Sequence, residues 1–321
     1  MGEFDLIDRF FKRPAKQADL GVGDDCALLS PRPGHQLAVS TDMLVEGRHF
    51  LSTVDPARLG HKCLAVNLSD LAACGAQARA FLLSLSIPRA DEAWLAGFSR
   101  GLFNLADAHG CELVGGDTTQ GPLNISITVI GDVPHGQALL RSGAQVGDDI
   151  YVSGTLGDAR LALEAFRGTV SLPESIFRSC RDRMEQPTPR IALGMALRGV
   201  ASAAADISDG LWGDLGHILR QSRVGAVLEL EICERLMACG DQGSLSPDWI
   251  RTCVLSGGDD YELVFTAPPA ARQAVQHAAI SSMTPVTRIG TVTAQPNLEL
   301  RDAQGQAISA RFASFDHFSQ G

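Results

Sequence analysis

Strand-like and helix-like stretches take turns along this chain, and the series breaks off once and begins again. A pattern with helical period cannot bury its apolar face as a strand, nor the reverse, so such alternation confines the chain to mixed α/β architectures. In the first half an amphipathic helix is expected over 4–12 and a strand over 37–43. A helix opens at Pro56 and closes near Gly75, where glycine suits the residue just past a helix end. Alternating Phe81, Leu83, Leu85 and Ile87 predict a strand over 79–88, followed by a helix over 91–108 and strands over 112–114 and 124–130. Between Asp132 and Asp149 the composition turns to Gly, Pro, Ser and Gln without apolar periodicity, which reads as a domain boundary. Beyond it a strand is expected over 150–153 and helices over 158–166 and 190–197. A strand ending at Asp206, a helix from Leu211, a strand over 226–232, a helix over 247–255 and a strand over 261–265 follow, and the tail over 286–300 reads as paired strands. The expected fold class is therefore α/β in two domains, 1–137 and 138–321. At 321 residues the chain can bury its cores without disulfides or metals.

Charge and composition then remove whole function classes. A net charge of −10 with 6% aromatic residues opposes nucleic acid, which attracts basic stripes and stacking rings. No run of about 18–20 apolar residues is present, and the start Met1-Gly2-Glu3-Phe4-Asp5 lacks a basic segment before an apolar core. Neither a membrane span nor a signal peptide is expected. The eight cysteines are scattered without a Cys-x-x-Cys pair, mostly among apolar neighbours, so reduced buried thiols in a cytoplasmic protein are expected.

Chemistry concentrates where acidic residues stand among Gly, Ser and apolar residues. The segments are Gly21-Val22-Gly23-Asp24-Asp25-Cys26-Ala27, Ser40-Thr41-Asp42, Asn67-Leu68-Ser69-Asp70, Gly115-Gly116-Asp117-Thr118-Thr119, Asp206-Ile207-Ser208-Asp209-Gly210 and Ser256-Gly257-Gly258-Asp259-Asp260-Tyr261-Glu262. Asp24, Asp206 or Asp260 taken singly reads equally well as a helix cap or turn residue. Together the segments suit phosphate held through Mg²⁺, which takes hard oxygen ligands. The P-loop pattern and the protein-kinase motifs are absent. Ser153-Gly154-Thr155-Leu156-Gly157 reads as a phosphate cradle at a helix N-terminus or, equally, as a plain helix start.

In that order, with Met43-Leu44-Val45-Glu46-Gly47-Arg48-His49-Phe50 and Leu140-Arg141-Ser142-Gly143-Ala144 added, the segments resemble the thiamine-monophosphate kinase family. Its superfamily includes aminoimidazole ribonucleotide synthetase and selenophosphate synthetase. The resemblance covers essentially the whole chain. It implies an N-terminal mixed α/β domain (1–137) that binds ATP and Mg²⁺ and dimerises, its strands completing a barrel-like sheet across the two-fold axis. A C-terminal α/β domain (138–321) is implied to close the active site. The implied reaction transfers the γ-phosphoryl group of ATP to thiamine monophosphate, giving thiamine diphosphate and ADP, in a cytoplasmic homodimer. Carried over by motif, Asp25, Thr41, Asp42, Asp70, Asp117, Asp206 and Asp209 are implied Mg²⁺ ligands. Gly116, Asp117, Arg141 and Ser208 are implied nucleotide contacts, and Asp117, Asp209 and Arg141 carry catalysis. His49, Asp259 and Phe315 are implied at the thiamine phosphate site; the family more often has Glu where this chain has Asp259, one methylene shorter.

The residues suit that chemistry. The acceptor is a phosphate monoester with a second pKa of about 6, so it reacts as a dianion and needs no strong base. Charge neutralisation and in-line positioning dominate phosphoryl transfer. Selenophosphate synthetase is disfavoured because Cys26 has no lysine beside it, and the hydrogenase-maturation relatives because the chain ends Phe318-Ser319-Gln320-Gly321. Aminoimidazole ribonucleotide synthetase stays open on fold alone, and a non-catalytic nucleotide- or cation-binding protein is the alternative from another class.

Overall fold

The computed structural model describes residues 2–239, 245–308 and 312. Two compact units emerge: residues 1–71 with 76–138, and residues 72–75 with 139–321. Family-scale expectation and structure agree on mixed α/β in both, and each sheet is open within the single chain.

The first unit carries α1 (Glu3–Phe10), β1 (His35–Val45), α2 (Pro56–Ala73), β2 (Gln77–Ile87), α3 (Glu92–Ala108), β3 (Glu112–Gln120) and β4 (Asn124–Pro134). Its strands form one sheet in the order β1-β4-β2-β3, with β1 and β3 at the edges. Phe81, Leu83, Leu85, Ile125, Ile127 and Val129 are buried, as their alternation demands. Asp91 caps α3 by accepting the N–H groups of Ala93 and Trp94, both at 3.1 Å. Trp94 then stacks on Phe98 at 5.0 Å between centroids. Helix approach is close here: a Cβ on Gly101 would stand 1.8 Å from the Ala57 carbonyl oxygen.

The second unit carries β5 (Asp149–Ser153), α4 (Asp158–Phe166), α5 (Glu174–Glu185), α6 (Ile191–Ala196), β6 (Ala203–Ile207), α7 (Leu211–Ser222), β7 (Gly225–Glu229), α8 (Leu230–Glu234), α9 (Pro247–Ser256), β8 (Glu262–Ala267), α10 (Arg272–Ser281), β9 (Val286–Thr293) and β10 (Leu298–Arg301). The sheet order is β10-β7-β9-β5-β8-β6. Ile150, Val152, Leu161, Ile207, Leu215 and Val264 lie at the centre of its core.

Two expectations are corrected, and two helices appear that none foresaw. The strand expected over 226–232 ends at Glu229, where α8 begins. The tail strands do not pair with each other; β9 and β10 flank β7, antiparallel and parallel to it. Pairing is a long-range choice, and the short span between β9 and β10 only resembles a hairpin. Helices α5 and α10 had no forecast. The stripe of α5 is Ile176, Cys180 and Met184, and the buried residues of α10 are Val275 and Ala278. Too little apolar surface recurs in either for periodicity to register. No helix among the described residues is long and apolar enough to cross a membrane.

Candidate active site

In the first unit the acidic motifs at Ser40–Asp42, Asn67–Asp70 and Gly115–Thr119 lie on strands and one helix, while Asp24 and Asp25 stand in a loop between α1 and β1. Ser40, Thr41 and Asp42 are inside β1, and Gly116 and Asp117 inside β3. Asp25, Asp42 and Asp117 are exposed, so their carboxylates carry little desolvation cost. Successive strand side chains face opposite ways, and β1 uses both faces. On one, the Ser40 hydroxyl donates to Asp70 at 2.5 Å, and the Asp42 N–H donates to Asn67 Oδ1 at 3.0 Å. Asn67 and Asp70 are one turn apart on α2 and reach the same strand. The other Asn67 amide group donates to the Cys63 carbonyl, which fixes which way its oxygen points. The Thr41 hydroxyl faces the opposite way, donating to the Ile127 carbonyl at 3.1 Å.

Asp117 stands elsewhere on the sheet. Asp42 pairs with Ile127, Ile127 with Leu83, and Leu83 with Gly116, so β4 and β2 intervene. Three strand spacings put Asp42 and Asp117 about 14 Å apart across the sheet. Gly116 has φ +148, and a Cβ there would stand 1.8 Å from the Leu83 carbonyl oxygen, so only glycine fits before Asp117. Asp24 accepts the Asp25 N–H at 2.8 Å, which bends the loop presenting Asp25. His49 Nδ1 accepts the Val45 N–H at 3.0 Å, which puts the neutral ring's proton on Nε2.

In the second unit the structure draws Asp206, Ser208, Asp209, Asp259 and Arg141 toward one place. Asp206 is buried near the end of β6, and Gly210 turns the chain with φ +110 into α7. Two carboxylates organise this region, Asp214, which sequence reasoning missed, and Asp260, which it took singly for a helix cap or turn residue. Asp214, in the first turn of α7, accepts the N–H groups of Ser208 and Asp209, each at 3.0 Å. Burial pushes its carboxyl up to about 7, while the Arg141 charge acts the other way. Asp260 is buried and accepts the Gly157 N–H through both oxygens, at 3.1 and 3.0 Å. Burial raises it well above the ordinary carboxylate range.

The Gly157 N–H is thereby occupied by the protein's own carboxylate, which decides Ser153–Gly157 as a helix start rather than a phosphate cradle. Glu262 anchors the same stretch, accepting Arg183 Nη2 at 2.8 Å, Arg190 Nε at 2.6 Å and the Ser153 hydroxyl at 2.5 Å. On either side of Asp260, Asp259 and Tyr261 have φ of +68 and +51, and the Tyr261 hydroxyl donates to Asp259 at 3.2 Å. Left-handed backbone at two non-glycine residues is strain that the flanking bonds hold in place. Phe315 lies outside the described residues.

Asp25, Asp42, Asp70 and Asp117 offer only hard oxygens, the donor set Mg²⁺ prefers. Among the described residues they form no group of three with ligand atoms within 4.8 Å of one another. Asp158, Cys180 and Cys239 do form such a group. There the Asp158 oxygens are already taken by the N–H groups of Cys239 and Ala238, at 3.0 and 3.3 Å, closing that turn onto α4. The serine, asparagine and buried aspartate partners (Ser40, Asn67, Asp214) escaped the list of candidates because they act on other protein groups. Asn67 three residues before Asp70 on one helix was their visible sign.

Comparison with known proteins sharpens this picture. Residues 23–133 match the AIR synthase related protein N-terminal domain, and residues 145–303 the corresponding C-terminal domain. The chain is 43% identical to thiamine-monophosphate kinase of Escherichia coli strain K12, over 99% of this chain and 98% of that protein. It is 42% identical to thiamine-monophosphate kinase of Haemophilus influenzae, over 100% and 99%. A crystal structure of thiamine-monophosphate kinase from Stenotrophomonas maltophilia K279a superposes with a TM-score of 0.84 at 45% identity, covering 91% of this chain and 92% of that one. AaThiL complexed with AMPPCP and TMP superposes with a TM-score of 0.75 at 28% identity, covering 90% and 89%. Matched along nearly its whole length and carrying both domains, the chain belongs to the thiamine-monophosphate kinase family.

Proposed function

We infer that this chain transfers the γ-phosphoryl group of ATP to thiamine monophosphate, giving thiamine diphosphate and ADP. The observation that carries this reading is 43% identity over 99% of the chain to an enzyme of that name. An oxygen of the acceptor phosphate attacks the γ-phosphorus, a new P–O bond forms, and the bond to the β-phosphate oxygen breaks as ADP leaves. The acceptor is already dianionic near neutral pH, so no protein base is needed. Mg²⁺ ions, when bound, would neutralise phosphate oxygens; Asp25, Thr41, Asp42, Asp70, Asp117, Asp206 and Asp209 would supply their ligands, Asp42 and Asp117 not to the same ion within one chain. Arg141 offers a planar fork to phosphate oxygens, and Gly116 and Ser208 bring main chain and hydroxyl to the nucleotide. His49 Nε2–H and Asp259 face the thiamine phosphate in this reading.

The reading includes a homodimer. Leu37, Val39 and Met43 are exposed on one face of the edge strand β1, at 45, 62 and 56%, an apolar stripe that a second copy would cover. A barrel-like sheet completed across a two-fold axis would close both open edges of the β1-β4-β2-β3 sheet. The free cysteines, six of them buried, suit a reducing compartment and so a cytoplasmic location.

The test is a product assay with ATP, Mg²⁺ and thiamine monophosphate. Equal thiamine diphosphate and ADP, lost with chelator and with free thiamine, are expected. ADP without thiamine diphosphate overturns the acceptor, and neither product overturns the kinase.

A further inference from the structure

The turn carrying Asp206, Ser208 and Asp209 is tied down on two sides. The Ser208 carbonyl accepts the Asp259 N–H at 3.0 Å, and the Ile207 carbonyl accepts the Tyr261 N–H at 2.9 Å. A Cβ on Gly258 would stand 2.4 Å from the Ser208 carbonyl oxygen, so the two segments are in direct contact. From the other side, Asp214 Oδ2 alone accepts the N–H groups of both Ser208 and Asp209.

A carboxylate is a costly residue for that position. Asp214 is 5% exposed, and Asp209 sets a like charge beside it. Its place in the first turn of α7 offsets only part of that cost. A serine or threonine cap would satisfy one N–H far more cheaply. What the carboxylate adds is one buried oxygen that orients two successive peptide planes. With the Ser208 and Asp209 N–H groups and the Ile207 and Ser208 carbonyls engaged, the turn is held from both sides and the side chains of Ser208 and Asp209 keep the freedom to adjust.

We propose that Asp214 is a positioning residue for phosphoryl transfer, holding the Ser208–Asp209 turn so that both side chains present to nucleotide and metal in one fixed geometry. This rests on the functional reading above. Asp214 touches no substrate; it acts through two main-chain N–H groups.

The experiment compares D214A and D214N with the wild-type full-length chain. Two readouts are taken: amide hydrogen exchange of the 206–210 segment, and kcat and KM for ATP and for thiamine monophosphate. In D214A both amides lose protection, and kcat/KM for ATP falls about 10²-fold, the usual cost of misplacing reacting groups by an ångström. KM for thiamine monophosphate changes less than threefold. D214N keeps an oxygen in place and restores both protection and turnover to within about threefold of wild type. Wild-type kinetics in D214A overturn the proposal, and so does D214N as slow as D214A, which would make the charge rather than the turn decisive. Should D214A fail to fold, D214E replaces it, its longer arm displacing the same oxygen. A wild-type chain that forms no ADP fells the functional reading instead. Exchange and AMPPCP affinity then decide: an unprotected turn with weakened AMPPCP binding in D214A supports the positioning role, and unchanged values overturn it.

Discussion

Asp117 illustrates how much one position depends on its neighbour. Gly116 is the only residue its backbone admits, and it sets Asp117 on an exposed stretch of an edge strand rather than in a buried loop. Asp117→Asn preserves shape and removes charge, so kcat should fall by about 10²-fold or more with the thermal unfolding midpoint unchanged, measured at saturating Mg²⁺. An unaltered kcat removes Asp117 from the reaction. His49 makes a separable prediction. Its Nδ1 accepts the Val45 N–H, so the neutral ring's proton sits on Nε2, the donor that the proposed reading assigns to the thiamine phosphate. A hydrogen bond to a charged group contributes about 1.5–3 kcal/mol. In His49→Ala, KM for thiamine monophosphate should therefore rise roughly ten- to hundredfold while KM for ATP stays within twofold. A collapse of ATP affinity instead would reassign the residue.

Among the elements, the strand order has the largest functional consequence. With β4 and β2 between them, β1 and β3 hold Asp42 and Asp117 too far apart to share one ion within a chain. If a second copy closes the sheet so that β1 meets the partner's β3, the two carboxylates converge across the interface. Co-purified mixed dimers of Asp42→Asn and Asp117→Asn chains test this. In that arrangement one of the two sites in each mixed dimer is intact, and activity returns to about half of wild type from near zero for either variant alone. No recovery means the two residues act independently within each chain. Strong periodicity made β2, α3 and β4 legible in the sequence, since each buries a regular apolar face. Alanine-rich α10 and charge-rich α5 lacked one, and the pairing of β9 and β10 with β7 involved partners some sixty to seventy residues away.

Over the chain as a whole, acid stability provides a measurable signature of long-range pairing. Asp149 begins β5 and accepts Arg272 Nε and Arg288 Nε, both at 2.6 Å. The Arg272 hydrogen bond foremost, opposed by burial and aided by Arg288, holds its carboxyl down from 3.8 to about 2. A depressed carboxylate stabilises the fold fully above its unfolded value and loses that contribution as pH falls through the folded one. Urea midpoints of wild type and Asp149→Asn should therefore differ at pH 6 and converge between about pH 4 and 2; a constant difference across that window discounts the pairing. The order of residues alone was enough to specify mixed α/β in two parts and acidic motifs suited to phosphate held through Mg²⁺, because periodicity and motif spacing are local properties; the reaction itself came with the family those motifs resemble. The same order could not specify that Asp42 and Asp117 stand on opposite edges of one sheet, that Asn67 steadies β1, or that Asp214 ties the Ser208–Asp209 turn. Those follow from strand order, register and burial, which depend on contacts between segments far apart in the chain.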